Sequence, residues 1–133
     1  EVNRGLDDLV ARSSAVRSTN EQRLEFTSLA EVFDDIAERN DVVAQVRLDS
    51  DFNNLCMLAM GNEHANKMCR LLQPIMRRFW FAHTRMVGDT RLISRMHGQA
   101  ARSVAEGDED KAAKAFTRIV DSNRSFVQSV IYK

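Results

Sequence analysis

Apolar residues recur along this chain at the three- and four-residue spacing of amphipathic helices. Two neighbouring segments show the spacing in the series Leu29, Val32, Phe33 and Ile36, and Leu48, Phe52, Leu55 and Ala59. Later segments continue it with Met68, Leu72, Ile75, Phe79 and Met86, then Ile93, Met96, Ala100 and Val104, then Ala112, Ala115, Phe116, Ile119, Phe126, Val127 and Val130. No segment shows the sustained alternation of a strand, so the pattern predicts an all-α protein.

Helix caps and glycines divide this pattern into helices. Thr19 and Gln22 form a capping box, which predicts a helix start at Asn20. Gly61 and Gly107 suit the left-handed caps that end helices. The predicted helices are a first ending near Arg17, then Asn20 to near Asn40, about Asp41 to Met60, about Glu63 to Met86, a fifth between Gly88-Asp89 and Gly107, and a last capped by Asp108. Their short connections favour an antiparallel bundle of about six helices.

The fourth predicted helix has two unusual features. Pro74 lies inside it and should kink or interrupt it, and Asn62 is predicted to cap its start. Phe79, Trp80 and Phe81 point in three directions around a helix, so at least one of them faces something other than the main core. A second subunit and a wider core are both consistent with this triplet.

The composition is typical of one soluble domain. Of 133 residues, 44% are apolar and only five are Gly and one Pro, which argues against a disordered or turn-rich chain. Nineteen Lys and Arg balance nineteen Asp and Glu, whereas phosphate binding needs a basic excess. The chain shows neither a membrane-spanning apolar run nor a signal-peptide pattern, and two cysteines within predicted helices favour a reduced, cytoplasmic compartment. Because its first residue is Glu1, we expect a fragment of a longer protein.

Polar residues on inward helix faces mark a candidate site. Asp49, Asn53 and Cys56 form a polar stripe on the third helix, where side chains four residues apart meet. His97 shares the apolar face of the fifth helix, and Asn123 occupies the one gap in the apolar series of the last. Asp49, Asn53 and His97 can converge from two helices on an internal cavity, which is how bundles build ligand or metal sites. A satisfied core histidine is the simpler alternative.

Metal binding and catalysis have less support. A zinc site needs about three or four ligands, and Asp49 and His97 are the only strong candidates. His64 and His83 lie on another helix and are interpreted as surface or interface residues. The sequence has no glycine-rich phosphate loop, no paired Cys motif and no His-Glu-x-x-His motif, and a Cys56 nucleophile with His97 as its base lacks a local signature. We therefore do not expect an enzyme.

Short motifs follow one another in a defined order along nearly the whole chain. They are Leu6-Asp7 and Ala15, Leu48-Asp49-Ser50-Asp51-Phe52-Asn53, Gly61-Asn62, His97 with Val104, Gly107-Asp108, and Ala112 with Ala115-Phe116. In order and spacing they resemble the C-terminal effector-binding (FCD) domain of FadR-like regulators in the GntR family. The resemblance implies that residues 1–133 form a single helical effector-binding and dimerisation domain of a bacterial transcription regulator. It also implies that DNA is bound through an N-terminal winged helix-turn-helix domain absent from this chain.

The resemblance further implies a homodimer that binds a small organic acid or sugar acid, often through a metal. Family members that hold a metal usually present an Asp, a His four residues later, a His on the penultimate helix and another on the last. Asp49 and His97 keep two of these positions, whereas Asn53 and Ile119 occupy the others. An amide oxygen is a weak ligand for zinc or nickel, so we expect a pocket without a tightly bound metal.

The leading hypothesis is thus a ligand held by hydrogen bonds in a pocket formed by Asp49, Asn53, His97 and Asn123. Two alternatives remain open. The pocket is retained only as structure, or the chain is a ligand-free helical dimerisation or protein-interaction module that packs the aromatic triplet 79–81 on a partner.

Overall fold

The computed structural model describes residues 2–82 and 89–131, which form six helices. They are α1 (Val2–Arg17), α2 (Asn20–Arg39), α3 (Val42–Met60), α4 (Glu63–Ala82), α5 (Arg91–Glu106) and α6 (Glu109–Ile131). These residues contain no strand, so the predicted all-α bundle is confirmed. The predicted extension of the fourth helix to Met86, His83 and the turn residue Gly88 lie outside the described residues. Within the described ranges, no helix is long and apolar enough to cross a membrane.

Local capping signals end the helices where the sequence predicts. The Oγ1 atom of Thr19 accepts a hydrogen bond from the backbone N–H of Gln22 at 3.1 Å, and the backbone N–H of Thr19 donates to Gln22 Oε1 at 2.9 Å. Gly61 and Gly107 have left-handed φ angles of 65° and 74°. The carboxylate of Asp108 accepts from the backbone N–H three residues later at 3.1 Å. The ends of these helices are therefore set by hydrogen bonds and backbone angles of residues close together in the sequence.

The core lies where five of the helices meet. Helix α2 packs mainly on α5, α1 packs on α6, and α5 packs on α6, while α3 closes the bundle against α1 and α2. Phe52 of α3 stands at its centre. The ring centroid of Phe52 lies 6.0 Å from those of Phe26 and Phe33, in edge-on geometry, and 5.6 Å from that of Phe116. Val32, predicted on the apolar face of α2, is exposed, because the face that packs inward is centred on Phe26, Phe33 and their small neighbours.

Helix α4 lies at the edge of the bundle, against α3 and a short part of α1. Pro74 lies inside α4 and does not interrupt it. In the aromatic triplet, Phe79 is half-buried and its ring stands edge-on to Phe126 of α6 at 6.3 Å. The side chains of Trp80 and Phe81 lie outside the described residues.

The outer face of α4 carries three apolar side chains in solvent. Met68, Leu71 and Ile75 are 45%, 73% and 59% exposed, and their spacing places them on one side of the helix. The sequence predicts an apolar face through Met68, Leu72, Ile75 and Phe79. In the structure Leu72 and Phe79 are half-buried, whereas Met68 and Ile75 are exposed.

One arginine connects three helix ends. Arg23 of α2 donates from Nη2 to the carbonyl oxygen of Ala15 and from Nη1 to that of Val104, both at 3.0 Å. Gly107 lies against this guanidinium: a Cβ atom added to it would stand 2.8 Å from Arg23 Nη1. The left-handed cap and the arginine therefore occupy one tightly packed junction.

We expect Gly107→Ala to lower the free energy of unfolding by about 1 to 2 kcal/mol, because alanine is strained at a left-handed φ and its methyl group displaces Arg23. Chemical denaturation measures the change. Gly5→Ala is the matched control: Gly5 is exposed within α1 and an added Cβ meets nothing within 4 Å. It should raise stability by about 0.5 to 1 kcal/mol, since alanine is the better helix former. Equal effects of the two substitutions would contradict this account.

Candidate functional site

His97 of α5 is only 3% exposed and reaches α3. Its Nε2 atom lies 2.7 Å from Asp49 Oδ1, and its Nδ1 atom lies 2.8 Å from the carbonyl oxygen of Ile93, one turn earlier on α5. Both neighbouring oxygens are hydrogen-bond acceptors. A ring that carries protons on both nitrogens donates to both, so this position suits an imidazolium paired with a carboxylate.

The charge of His97 follows from two opposing effects. Burial lowers the pKa of His97, but the charge of Asp49, its hydrogen bond to the ring and the Ile93 carbonyl together outweigh burial. The pKa of His97 is therefore raised above its ordinary value of 6.5. When the ring is protonated, the Asp49 carboxylate lies beside its positive charge.

Neighbouring side chains fix the orientation of the His97 ring. Phe33 stacks on it with centroids 5.1 Å apart and planes at 28°, and Phe52 stands edge-on at 5.9 Å. Gln45 is buried on α3 and its Oε1 atom accepts a hydrogen bond from Ser94 at 2.6 Å. The two aromatic rings and the Ile93 carbonyl therefore hold the His97 ring in place.

Of the four predicted site residues, the structure brings three together. Asn53 lies one turn after Asp49 on α3, half-buried, and donates from Nδ2 to Asp49 Oδ1 at 3.4 Å, which is a long hydrogen bond. Asn123 is half-buried on α6, one turn beyond Ile119. The contacts of the described residues do not join Asn123 to Asp49, Asn53 or His97, so its part in the site stays a prediction.

Asp7 of α1 is a site residue that the sequence reasoning did not assign to the site. It is half-buried, and burial, with the charge of Asp49 as a second cause, raises its pKa from 3.8 to about 6. Among the described residues, no side chain donates a hydrogen bond or forms an ion pair with it. The sequence spacing of Asp7 could have identified it as inward-facing. Val10 and Ala11 follow three and four residues later on the same helix face, and both are buried.

The two cysteines lie close enough to these carboxylates for the carboxylate charges to affect the pKa values of their thiols. Cys56 of α3 is fully buried, and burial, followed by the charges of Asp49, Cys69 and Asp7, raises the pKa of its thiol. Cys69 of α4 is half-buried, and burial and then Asp7 raise its pKa too. Both stay protonated at neutral pH, and the thiolate that a nucleophile requires is therefore disfavoured.

The donor set does not fit a divalent metal. In metal sites the ring nitrogen that does not bind the metal usually contacts a carbonyl or carboxylate oxygen, and Nδ1 of His97 makes such a contact with the Ile93 carbonyl. The other nitrogen, Nε2, forms its hydrogen bond with Asp49. Asn53 supplies a weakly ligating amide, and Ile119 is an apolar residue buried in the core. Within residues 2–82 and 89–131, no three His, Cys, Asp or Glu side chains are grouped to hold a metal ion.

Two depressions on the described surface lie away from this site, between α2 and α3. Their volumes are about 490 and 270 Å³, and both are lined by Val32 and Asp51. Neither is lined by Asp49, Asn53 or His97. The internal ligand cavity expected around those three residues therefore stays a prediction.

The raised pKa of Asp7 gives a pH-dependent test of the site. The folded state binds the Asp7 proton more tightly than the unfolded state, so stability falls as pH rises through the window from about 4 to about 6. Asp7→Asn removes this cost. We expect it to raise the melting temperature at about pH 7.5, with a gain that shrinks toward about pH 4.

Asp8→Asn is the matched control for Asp7→Asn. Asp8 is exposed and forms an ion pair with Arg12 at 3.2 Å, so its loss should cost little and in the opposite direction. Thermal unfolding of both variants across the pH series measures the difference. The same response from both would show that Asp7 has no special environment.

Comparison with known proteins identifies the family of this chain. The family model of the FCD domain matches residues 1–122, a range that includes Asp7, Asp49, Asn53 and His97. Searches of curated proteins and of solved structures gave no match. The match covers most of the chain and confirms the family resemblance seen in the sequence. This chain therefore belongs to the FCD domain family, the C-terminal effector-binding domains of GntR-type regulators.

Proposed function

We propose that this domain senses a small hydroxy acid or sugar acid for a cytoplasmic bacterial regulator of the FadR subfamily. The contact between buried His97 and half-buried Asp49 is the observation that carries the proposal, because it places a polar pair able to meet a carboxylate and a hydroxyl group between two helices. DNA binding belongs, in this proposal, to an N-terminal winged helix-turn-helix domain outside residues 1–133.

The polarity of the site favours an acid that also carries hydroxyl groups. His97 and the amide of Asn53 are donors suited to a carboxylate. Asp49 and Asp7 are acceptors suited to hydroxyl groups, and their charges would repel a second carboxylate. A hydroxy acid or sugar acid presents both kinds of group, whereas a plain dicarboxylate does not.

Ligand binding would act through the contact between α3 and α5. The His97–Asp49 bond crosses these two helices, and a carboxylate that competes with Asp49 for His97 changes the contact that holds them. The ligand then favours one arrangement of α3 and α5 over another by its difference in affinity. In a dimer, this shift alters how the two DNA-binding domains are positioned.

The same residues favour binding over catalysis. Cys56 is a protonated thiol, and both ring nitrogens of His97 already contact acceptors. A nucleophile with a matched base is thus lacking at this cluster, and we propose no enzymatic activity for the domain.

Thermal-shift measurements test the ligand. At about one hundred times its Kd, a ligand stabilises the folded state by about 2.7 kcal/mol, which raises the melting temperature of a domain this size by on the order of 10 °C. We expect such a shift with gluconate-like or glucuronate-like sugar acids, and none with the neutral parent sugar or with succinate.

Two substitutions tie that shift to the site. Asn53→Ala should abolish it, whereas Asn54→Ala should leave it unchanged, because Asn54 is the exposed next residue of α3. The proposal fails if no acid in the panel shifts the melting temperature, or if both alanine variants lose the shift equally.

A second role, homodimerisation through α4, has an observation of its own. The outer face of α4 exposes Met68, Leu71 and Ile75, a patch larger than single scattered apolar residues. Lys67, Arg70, Arg77 and Arg78 make the helix basic, so two α4 helices would repel each other. The depression between α2 and α3 offers exposed Leu24 with the acidic side chains Glu21, Glu25 and Asp51. The proposed occupant of that depression is therefore α4 of a second copy.

Leu71→Glu should convert the dimer to a monomer, because it places a carboxylate within the acidic depression of the partner. Light scattering after size exclusion, at about 100 μM protein, measures the mass. Leu92→Glu is the control, since Leu92 is an exposed leucine of α5 outside both surfaces. A monomeric wild type, or a dimer that survives Leu71→Glu, contradicts this interface, and a larger partner captured only by the wild type would favour a protein-interaction module.

A further inference from the structure

The His97 ring is oriented like that of a metal-binding histidine, but its Nε2 atom contacts a carboxylate oxygen. Nδ1 lies 2.8 Å from the Ile93 carbonyl, which leaves Nε2 as the nitrogen that faces the site. In metal centres the same second contact fixes a ligating histidine. Here Nε2 lies 2.7 Å from Asp49 Oδ1, so the two side chains share a direct hydrogen bond that a metal ion would have to replace.

That hydrogen bond links two helices directly. It joins Asp49 of α3 to His97 of α5, whose ring packs against Phe33 and Phe52. A metal ion bound by the same two side chains would be the other way to connect α3 to α5.

Asn53 decides between the two solutions. Its side chain stands one turn from Asp49, and its Nδ2 atom lies 3.4 Å from the same Oδ1 atom that His97 contacts. As an N–H donor it supports the carboxylate in its bond to His97. An imidazole at this position would add a third strong donor next to Asp49 and His97, and three protein donors are what an open zinc site uses.

We propose that this FCD domain holds its α3–α5 site together without a metal ion, and that Asn53 is the residue that keeps the site metal-free. The inference concerns the state of the site and not its ligand, so it does not rest on the identity or even the existence of the sugar acid.

The metal content and thermal stability of the wild type test whether the site is free of metal. Protein purified without added metal should hold far less than one zinc or nickel ion per chain by elemental analysis. Its melting temperature should not change with EDTA or with one equivalent of zinc. A stoichiometric ion, or a melting temperature that falls with EDTA, overturns the proposal.

The substitution Asn53→His tests whether Asn53 is the residue that keeps the site free of metal. We expect zinc to raise the melting temperature of this variant by several degrees and to bind at about one ion per chain in calorimetry. Asn54→His, on the exposed side of the same turn, should gain neither, and Asn53→His combined with His97→Gln should lose both. Asn53 is half-buried, so the variant should fold, and a destabilised variant still yields melting temperatures with and without zinc.

The outcomes separate cleanly. If Asn53→His responds to zinc no more than the wild type, Asn53 is not the determinant and the proposal is wrong. The sugar-acid screen is run in EDTA, so a failed ligand shift there leaves the metal result unaffected, and a metal-binding wild type leaves the ligand result unaffected.

Discussion

The bond between Asp49 and His97 is the constraint on which the rest of the site depends. His97 is buried and Asp49 is half-buried, so removing either side chain leaves the polar group of the other without this hydrogen bond. Helices α3 and α5 must therefore keep the relative position that holds the 2.7 Å contact. The rings of Phe33 and Phe52 enforce it from the apolar side, and the Ile93 carbonyl enforces it from the backbone.

Asp7 adds a second carboxyl group close to that of Asp49. Burial, followed by the charge of Asp49, raises the pKa of Asp7 to about 6. The cluster thus combines the His97 ring, the Asp49 carboxylate and a carboxyl group that takes up a proton readily. A site of this kind discriminates by hydrogen-bond pattern as well as by charge, since adding a second anion is unfavourable while adding a hydroxyl donor is not.

The sequence predicted the helices because their signals are local. The Thr19 capping box and the glycines at 61 and 107 are decided within a few residues, and the structure matches them. The pair of Asp49 and Asn53 was predictable for the same reason, as one turn of helix fixes their spacing. The position of Asp7 was not, because its surroundings depend on how α1 packs against α3. Likewise, the apolar periodicity of α4 could not show that its outer face would remain in solvent.

The position of His97 finally depends on the residue after it. A Cβ atom at Gly98 would lie 2.9 Å from Asp34 Oδ1, so a larger residue there requires this carboxylate to shift, while the 3.5 Å to the carbonyl oxygen of Ala30 is ordinary contact. Asp34 also forms an ion pair with Arg102, which such a shift would disturb. Phe33 lies beside Asp34 on α2, and the close approach is what brings its ring onto His97. The small residue at 98 therefore sets the helix spacing, the spacing allows the stacked ring, and the ring directs His97 to Asp49.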